Sequence, residues 1–343
     1  MKVDANLDTS GLAAITASAG HLDRAGYDGL WSSESAHDPF LPLSVAALES
    51  KRSELGTSIA VAFARTPMTV AYTAHDLQAY SNGRFLLGLG SQVKPHIERR
   101  FSMPWSHPAP RMREFIAALH AIWEGWETGA ALNFRGDYYQ HTLMTPFFSP
   151  PPHGYPRPKV ILAAVGETMS RVAGEVADGI FLHGFTTERY IREVTIPAVE
   201  AGLATSGRSR SQFQVAHLAL IAAGRTEEEA KVAQQAVRQQ IAFYGSTPAY
   251  RGVLELHGWG DLAGELHSLS RSSRDDKWEA MAGLIGDEVL TTFAVVAEPG
   301  RVAAELVRRF GRLADRLKFY APYDSEPRMW DEIRAGVAAV SNE

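Results

Sequence analysis

The chain has 343 residues, 45% of them apolar and 21% charged, with a net charge of −5, enough to bury a sizeable core in one large α/β barrel with insertions or in two or three average domains. No Lys/Arg cluster is long enough to track a nucleic-acid backbone, and no apolar run approaches the roughly 18 residues of a membrane span. Cysteine is absent, which excludes disulfides, thiolate–metal sites and cysteine nucleophiles and fits a reducing cytoplasm, while the polar start MKVDANLDT does not read as a signal peptide.

Taken in chain order, residues 2–7 predict a first strand, the least hydrophobic of the set, with Asp4 and Asn6 expected toward a barrel mouth. HLDRAGYDGLW at 21–31 then shows a junction that recurs: a helix, a tight polar turn and a short apolar strand. It returns as AYSNGRFLLGLG at 79–90, RVAGEVADGIFLHG at 171–184 and LVRRFGRLADRLKFYAP at 306–322. Asp28, Asn82, Asp178 and Asp315 suit the turn that ends a helix, and the glycine that follows in three of the four is expected to supply a positive φ. Apolar runs at 55–63, 159–165 and 213–222 complete eight strands, with helical periodicity between most of them, as at 112–123 and 170–177.

Strands alternating with helices predict a parallel sheet covered by helices. Eight units in this length favour a closed (β/α)8 TIM barrel with almost uniformly apolar strands. No linker composition divides the chain, so one domain over 1–343 is expected. Two long segments interrupt the repeat, at about 91–158 after strand four and about 224–290 after strand seven. The second opens on a capping box, Thr226 to Glu229. Such segments build lids or binding walls on a barrel's active face.

Gly88-Leu89-Gly90 follows a strand, but a dinucleotide fingerprint needs a small third residue where Val93 stands. No Walker, HExxH or GxSxG motif is present, which removes the main signals for P-loop, zincin and α/β-hydrolase chemistry. Glu34, His37 and Asp38 lie in SSESAHDPF just past strand two, at the catalytic rim of a barrel. Their spacing matches no standard metal set, and a solvated loop is the plain alternative. Ala164 to Ser170, AVGETMS, joins strand five to a helix whose open N-terminal amides make either a phosphate site or an ordinary capped helix. His183 ends strand six at the rim. His217, inside strand seven, reads as a satisfied core histidine.

Several stretches together carry a resemblance: GYDGLWSSESAHDPFLPL at 26–43, the run LGTSIAVAFARTPM through SQVKPHIERRF at 55–101, RMREFIAALHAIWEG at 111–125, FRGDYYQ at 134–140, ILAAVGETMSRVAGEVADG at 161–179 and LKFYAP at 317–322. In this order they resemble the luciferase-like flavin and deazaflavin oxidoreductases, and most closely an actinobacterial group that uses coenzyme F420. The resemblance implies a (β/α)8 barrel with the cofactor ring at the C-terminal ends of the strands, resting on a bulge whose non-prolyl cis peptide matches Ser58–Ile59. It places Ser91, Gln92 and Val93 beside the cofactor, and Gly166, Glu167, Thr168 and Met169, next to Ala164, in the loop that holds the phosphate. His183 is taken with this cofactor set, and Glu34 matches an acidic residue near the ring. Sugar-phosphate dehydrogenases of the group carry a catalytic histidine directly after that acid, where this chain has Ser35, and an acid where it has Val93. Their substrate chemistry is therefore not expected, and His37 becomes the substitute proton-transfer candidate.

The resulting expectation is a coenzyme F420-dependent oxidoreductase that exchanges a hydride between the deazaflavin C5 and a small apolar substrate. Phe101, Trp105, Phe147 and Phe148 are candidates for the substrate wall, or for lid packing alone. An FMN-dependent monooxygenase, a non-catalytic flavin-binding barrel and a metal-dependent barrel hydrolase are the alternatives, separable by cofactor binding, turnover and bound metal. By the same resemblance a homodimer or higher homo-oligomer is expected, with no nucleic-acid or membrane partner.

Overall fold

Eight parallel strands form a closed ring in the computed structural model, which describes residues 1–341. They are β1 (Lys2–Asn6), β2 (Gly29–Ser32), β3 (Glu54–Thr57), β4 (Phe85–Gly90), β5 (Lys159–Ala164), β6 (Gly179–Leu182), β7 (Gln214–Ala222) and β8 (Arg316–Tyr320). Each pairs with the next in sequence, and β8 returns to β1 with Lys2 opposite Arg316. Outside the ring lie the helices α1 (Leu12–Ala25), α2 (Leu41–Glu49), α3 (Pro67–Tyr80), α4 (Pro108–Thr128), α5 (Glu167–Val176), α6 (Ile196–Thr205), α7 (Glu227–Gly245), α8 (Pro299–Phe310) and α9 (Pro327–Val340). Leu87, Val160, Leu162 and Ile180 of the strands join Ile116, Leu119 and Val172 of the helices in one buried cluster. The expected (β/α)8 barrel is the observed fold.

The recurring junction works differently from its sequence reading. Asp28, Asp178 and Asp315 each accept the amide of the second residue of a neighbouring strand, from Val3 at 2.8 Å, Val160 at 2.8 Å and Val215 at 2.7 Å. Each aspartate's own amide donates back to the same residue's carbonyl oxygen. Positive φ belongs to Gly26 in the first junction and to Asn82 and Gly83 in the second, not to Gly29 or Gly179. Those two are glycine for space, because a Cβ would meet Asp4 Oδ1 at 2.6 Å and the Gln214 carbonyl oxygen at 2.6 Å.

The barrel interior corrects a second expectation, for it is not uniformly apolar. Asp4 is 1% exposed and lies toward the N-terminal ends of the strands rather than at the mouth. Arg316 grips it with Nε at 2.7 Å and Nη2 at 2.8 Å, and reaches Glu54 with Nη1 at 2.7 Å. Lys2 completes the group on the same Glu54 oxygen at 2.7 Å. Burial works against the Glu54 carboxylate, but Arg316 and Lys2 hold its pKa below the ordinary value. The next layer is apolar: Trp31, Leu86, Ile161, Phe181 and Ala216 cluster together, with the Arg316 guanidinium 5.2 Å from the Trp31 ring centroid. Only Asn6, at the C-terminal end of β1, is exposed as expected.

The segment after β7 begins at the Thr226–Glu229 capping box, which the structure contains. Its helices build a separate apolar cluster around Val237, Ile241, Leu254, Leu266, Met281 and Phe293. The short strand Ala294–Val296 then pairs with β7. Buried Arg309 of α8 donates to the carbonyl oxygens of Thr291, Thr292 and Ala294, fastening the segment's end to the barrel. The turn after α7 carries Ala249 and Tyr250 over the C-terminal ends of the strands.

Candidate active site

Beyond β3 the chain departs from regular pairing at Ser58 and Ile59, joined by a cis peptide bond. It rejoins β4 at Ala60 and Val61, opposite Leu89 and Gly90. Every edge of this bulge is held. The Ser58 amide donates to the Ser32 carbonyl oxygen at 2.7 Å, and Ser33 Oγ donates to the Ser58 carbonyl oxygen at 2.8 Å. Thr57 Oγ1 donates to the Gly88 carbonyl oxygen at 2.7 Å, and a Cβ on Gly88 would overlap the Thr57 carbonyl oxygen. Glu34 accepts the Val61 amide at 2.7 Å and Arg65 Nη1 at 2.6 Å.

A cavity of about 470 Å³ opens above the bulge at the C-terminal ends of the strands. Ser58, Ile59 and Lys318 lie on its floor side, and Gly90 to Val93 follow from β4. Ala163 to Gly166 and Met169 come from the end of β5 through the turn into the start of α5, Phe181 to His183 from the end of β6, Leu218 from β7, and Ala249 and Tyr250 from the inserted segment. Gly166 precedes α5 in an extended conformation and no side chain caps the helix, so its first amides are open. At the β4 end, Gln92 has φ 60° and its Oε1 accepts the Val93 amide at 3.0 Å.

His183 is held as a neutral ring. Its Nδ1 accepts the Phe185 amide at 3.0 Å, which leaves the proton on Nε2, 3.5 Å from the Tyr250 hydroxyl. Burial pushes its pKa down to about 4. Tyr244 packs edge-on to it at 4.5 Å, and burial, with the Tyr320 hydroxyl 3.1 Å away, raises the Tyr244 phenol.

The structure brings Ser58, Ile59, Ser91, Gln92, Val93, Ala164, Gly166, Met169 and His183 to one cavity. Glu167 and Thr168 belong to the open helix end, but their side chains are exposed outside the lining. Glu34 and His37 do not line it: Glu34 is tied to the bulge and Arg65, and His37 is exposed. The aromatic wall differs from expectation. Phe101 and Trp105 pack against the core, and Phe147 and Phe148 are 89% and 60% exposed, so none of the four reaches the cavity. Tyr250 takes that place. His217 is buried as expected but not satisfied, because its Nδ1 has no partner.

Sequence reasoning missed Lys318 and Tyr250. The signal for Lys318 was the alternation Arg316, Lys318, Tyr320, which aims three polar side chains to one face of a strand. Nothing local marks Tyr250, which is 67 residues from His183. Among the described residues no His, Asp and Glu group could hold a metal ion, and no helix is long and apolar enough to cross a membrane.

Comparison with known proteins places the chain in a family. The chain is 54% identical over 317 residues to an uncharacterized protein of Mycobacterium tuberculosis, covering 92% of each chain. It is 26% identical over 317 residues to the F420-dependent glucose-6-phosphate dehydrogenase of Intrasporangium calvum, covering 90% of this chain and 86% of that one. The fold matches the coenzyme F420 dependent tetrahydromethanopterin reductase of Methanopyrus kandleri with a TM-score of 0.79 at 17% identity, over 99% and 98% of the two chains. The family model described as luciferase-like monooxygenase matches residues 1–316, and the chain belongs to that family.

Proposed function

We propose that the protein is a coenzyme F420-dependent oxidoreductase acting on a small organic substrate. The observation that carries this reading is the cavity between the Ser58–Ile59 bulge and the open N-terminus of α5. Its residues fit a flat ring with a phosphate-bearing tail. Ile59 and Gly90 form an apolar platform, and a Cβ at Gly90 would meet Ile59 Cδ1 at 2.8 Å. The amides of residues 167–169 suit the phosphate, and Ser91 and Gln92 would border the chain between. When bound, the deazaflavin supplies a hydride donor or acceptor at C5. The protein's own work is to orient the ring, to exclude water with Phe181, Leu218 and Tyr250, and to keep His183 neutral beside it.

The F420 assignment is supported by the sequence likeness to the Intrasporangium dehydrogenase. Ser35 still argues against sharing its sugar-phosphate substrate. FMN-dependent oxygenation is the second reading, favoured by the family description over residues 1–316, and a barrel that binds a flavin without turnover is the third. Anaerobic titration with coenzyme F420 and with FMN, followed by oxygen uptake measurements, separates them. Tight F420 binding with reversible reduction and no oxygen uptake is expected. FMN binding with oxygen consumption and no F420 affinity would overturn the proposal, and binding without turnover across a broad panel of reducible substrates would favour the third reading.

We extend the proposal to a homodimer or higher homo-oligomer. Leu41 and Leu48, one face of α2, are 72% and 74% exposed, and a second copy would cover them. Sedimentation equilibrium measures the mass directly.

A further inference from the structure

One cation of the barrel interior stands outside its charge network. Arg316 and Lys318 are the buried cations and Asp4 and Glu54 the carboxylates, with Lys2, 42% exposed, closing the N-terminal end. Asp4 commits both oxygens to Arg316, and one Glu54 oxygen receives both Arg316 and Lys2. Neither makes a hydrogen bond to Lys318. Its side-chain partner among the described residues is Ser58 Oγ, at 2.7 Å. Glu34, the acid beside the bulge, is paired with Arg65.

Lys318 is 7% exposed and lines the cavity. An ammonium group has three donors; Ser58 takes one, and the others are left at a cavity walled by Ile59, Phe181 and Leu218. A cation in such surroundings is unfavourable unless a partner satisfies it. Burial lowers the Lys318 pKa to about 8, opposed by the Asp4 charge, so it stays protonated at neutral pH.

We propose that Lys318 recognises a negatively charged oxygen on the molecule that fills the cavity. The missing acceptor is then supplied by the ligand, and Ser58 aims the ammonium at it. This rests on the cofactor reading above. The oxygen has two sources, the pyrimidine edge of the cofactor ring in an anionic form or a carboxylate of the substrate.

The test compares the wild type with Lys318→Met, which keeps the length of the side chain and removes the charge. Each protein is titrated with coenzyme F420 and with FMN, and then, loaded with whichever binds, with benzoate as a probe anion. If the oxygen belongs to the cofactor, the variant's cofactor Kd rises roughly 10- to 100-fold, the loss expected for a charge-assisted hydrogen bond. If it belongs to the substrate, cofactor affinity is unchanged and benzoate binding to the wild type is lost in the variant. Equal behaviour of the two proteins toward cofactor and benzoate, including binding of neither, overturns the inference. A wild type that binds neither cofactor defeats the cofactor reading instead, and benzoate titration of the bare proteins then decides the role of Lys318. Thermal unfolding checks the variant's fold, and Lys318→Gln replaces it if the Met variant is insoluble.

Discussion

Asp178 and Val160 exchange two hydrogen bonds across the start of β5 and β6. The Val160 amide donates to Asp178 Oδ2 at 2.8 Å, and the Asp178 amide donates to the Val160 carbonyl oxygen at 2.8 Å. Arg157 adds Nη donors at 2.8 and 3.0 Å to the same carboxylate. Burial raises the Asp178 pKa, but the Arg157 bonds and charge and the Val160 amide outweigh it, so the folded value is depressed. Asp178→Ala should therefore destabilise the protein by about 2–4 kcal/mol at neutral pH. A carboxylate with a depressed folded pKa stabilises above its unfolded value, near ~3.9, and loses that contribution as pH falls through the folded value. Urea unfolding at neutral pH and at about pH 3 should show the gap between wild type and variant narrowing in acid.

His217 supplies the opposite kind of buried group. Its ring packs against Phe310 at 4.4 Å, tilted by 52°, its Nδ1 has no partner, and burial, with the Arg309 charge, lowers its pKa to about 3. The folded state therefore binds this proton less readily than the unfolded state, whose histidine titrates near ~6.5. Stability from His217 is complete above that value and drains away as pH falls from there toward about 3. His217→Phe should keep or raise the midpoint of thermal unfolding at neutral pH and flatten its decline between about pH 6.5 and 4. A steeper acid decline in the variant would contradict this linkage.

The barrel was legible because its junctions repeat: Asp28, Asp178 and Asp315 sit at the same step between a helix and an apolar strand. Their mechanism was not, since a hydrogen bond to Val3, Val160 or Val215 spans a distance no local pattern encodes. The candidate cavity was legible through resemblance, which named Ser58, Ile59 and the 164–169 turn that the structure brings together. Lys318 escaped because the alternation Arg316, Lys318, Tyr320 puts three polar side chains on one face without showing that this face is the barrel's interior. Aromatic content misled for the same reason, and Trp105 proved to pack edge-on to Phe63, at 5.7 Å, instead of facing the cavity.

Two glycines at the site carry separable demands. Gly88 has no room for a Cβ beneath the Thr57 carbonyl oxygen, whereas nothing lies within 4 Å of a Cβ built on Gly166. Gly88→Ala should displace the bulge and destabilise the fold by roughly 1–3 kcal/mol or more. Gly166→Ala should leave stability within about 0.5 kcal/mol of wild type, with its effect confined to cofactor affinity at the α5 amides. Thermal unfolding and cofactor titration of both variants test the contrast. A Gly88→Ala protein as stable as wild type would mean that the bulge tolerates the methyl group.

Glu34 and His37 stand three residues apart yet should respond in opposite ways. Val61 is fully buried, and its amide relies on Glu34 Oε2 at 2.7 Å, the oxygen that Arg65 also binds. Glu34→Ala leaves the buried Val61 amide without its acceptor and Arg65 with only Asp38 and the Val61 carbonyl oxygen, a loss of about 2–3 kcal/mol, and loosens the platform under the proposed ring. Glu34→Gln keeps an oxygen for the Val61 amide and should fall between that variant and wild type. His37 is exposed and outside the cavity lining, so His37→Ala should leave stability, cofactor affinity and the pH profile of turnover unchanged. If His37→Ala alone altered the pH profile while both Glu34 variants matched wild type, proton transfer through His37 would replace bracing by Glu34 as the loop's function. The two predictions are coupled because the Glu34–Arg65 pair, not the histidine, connects this loop to the bulge.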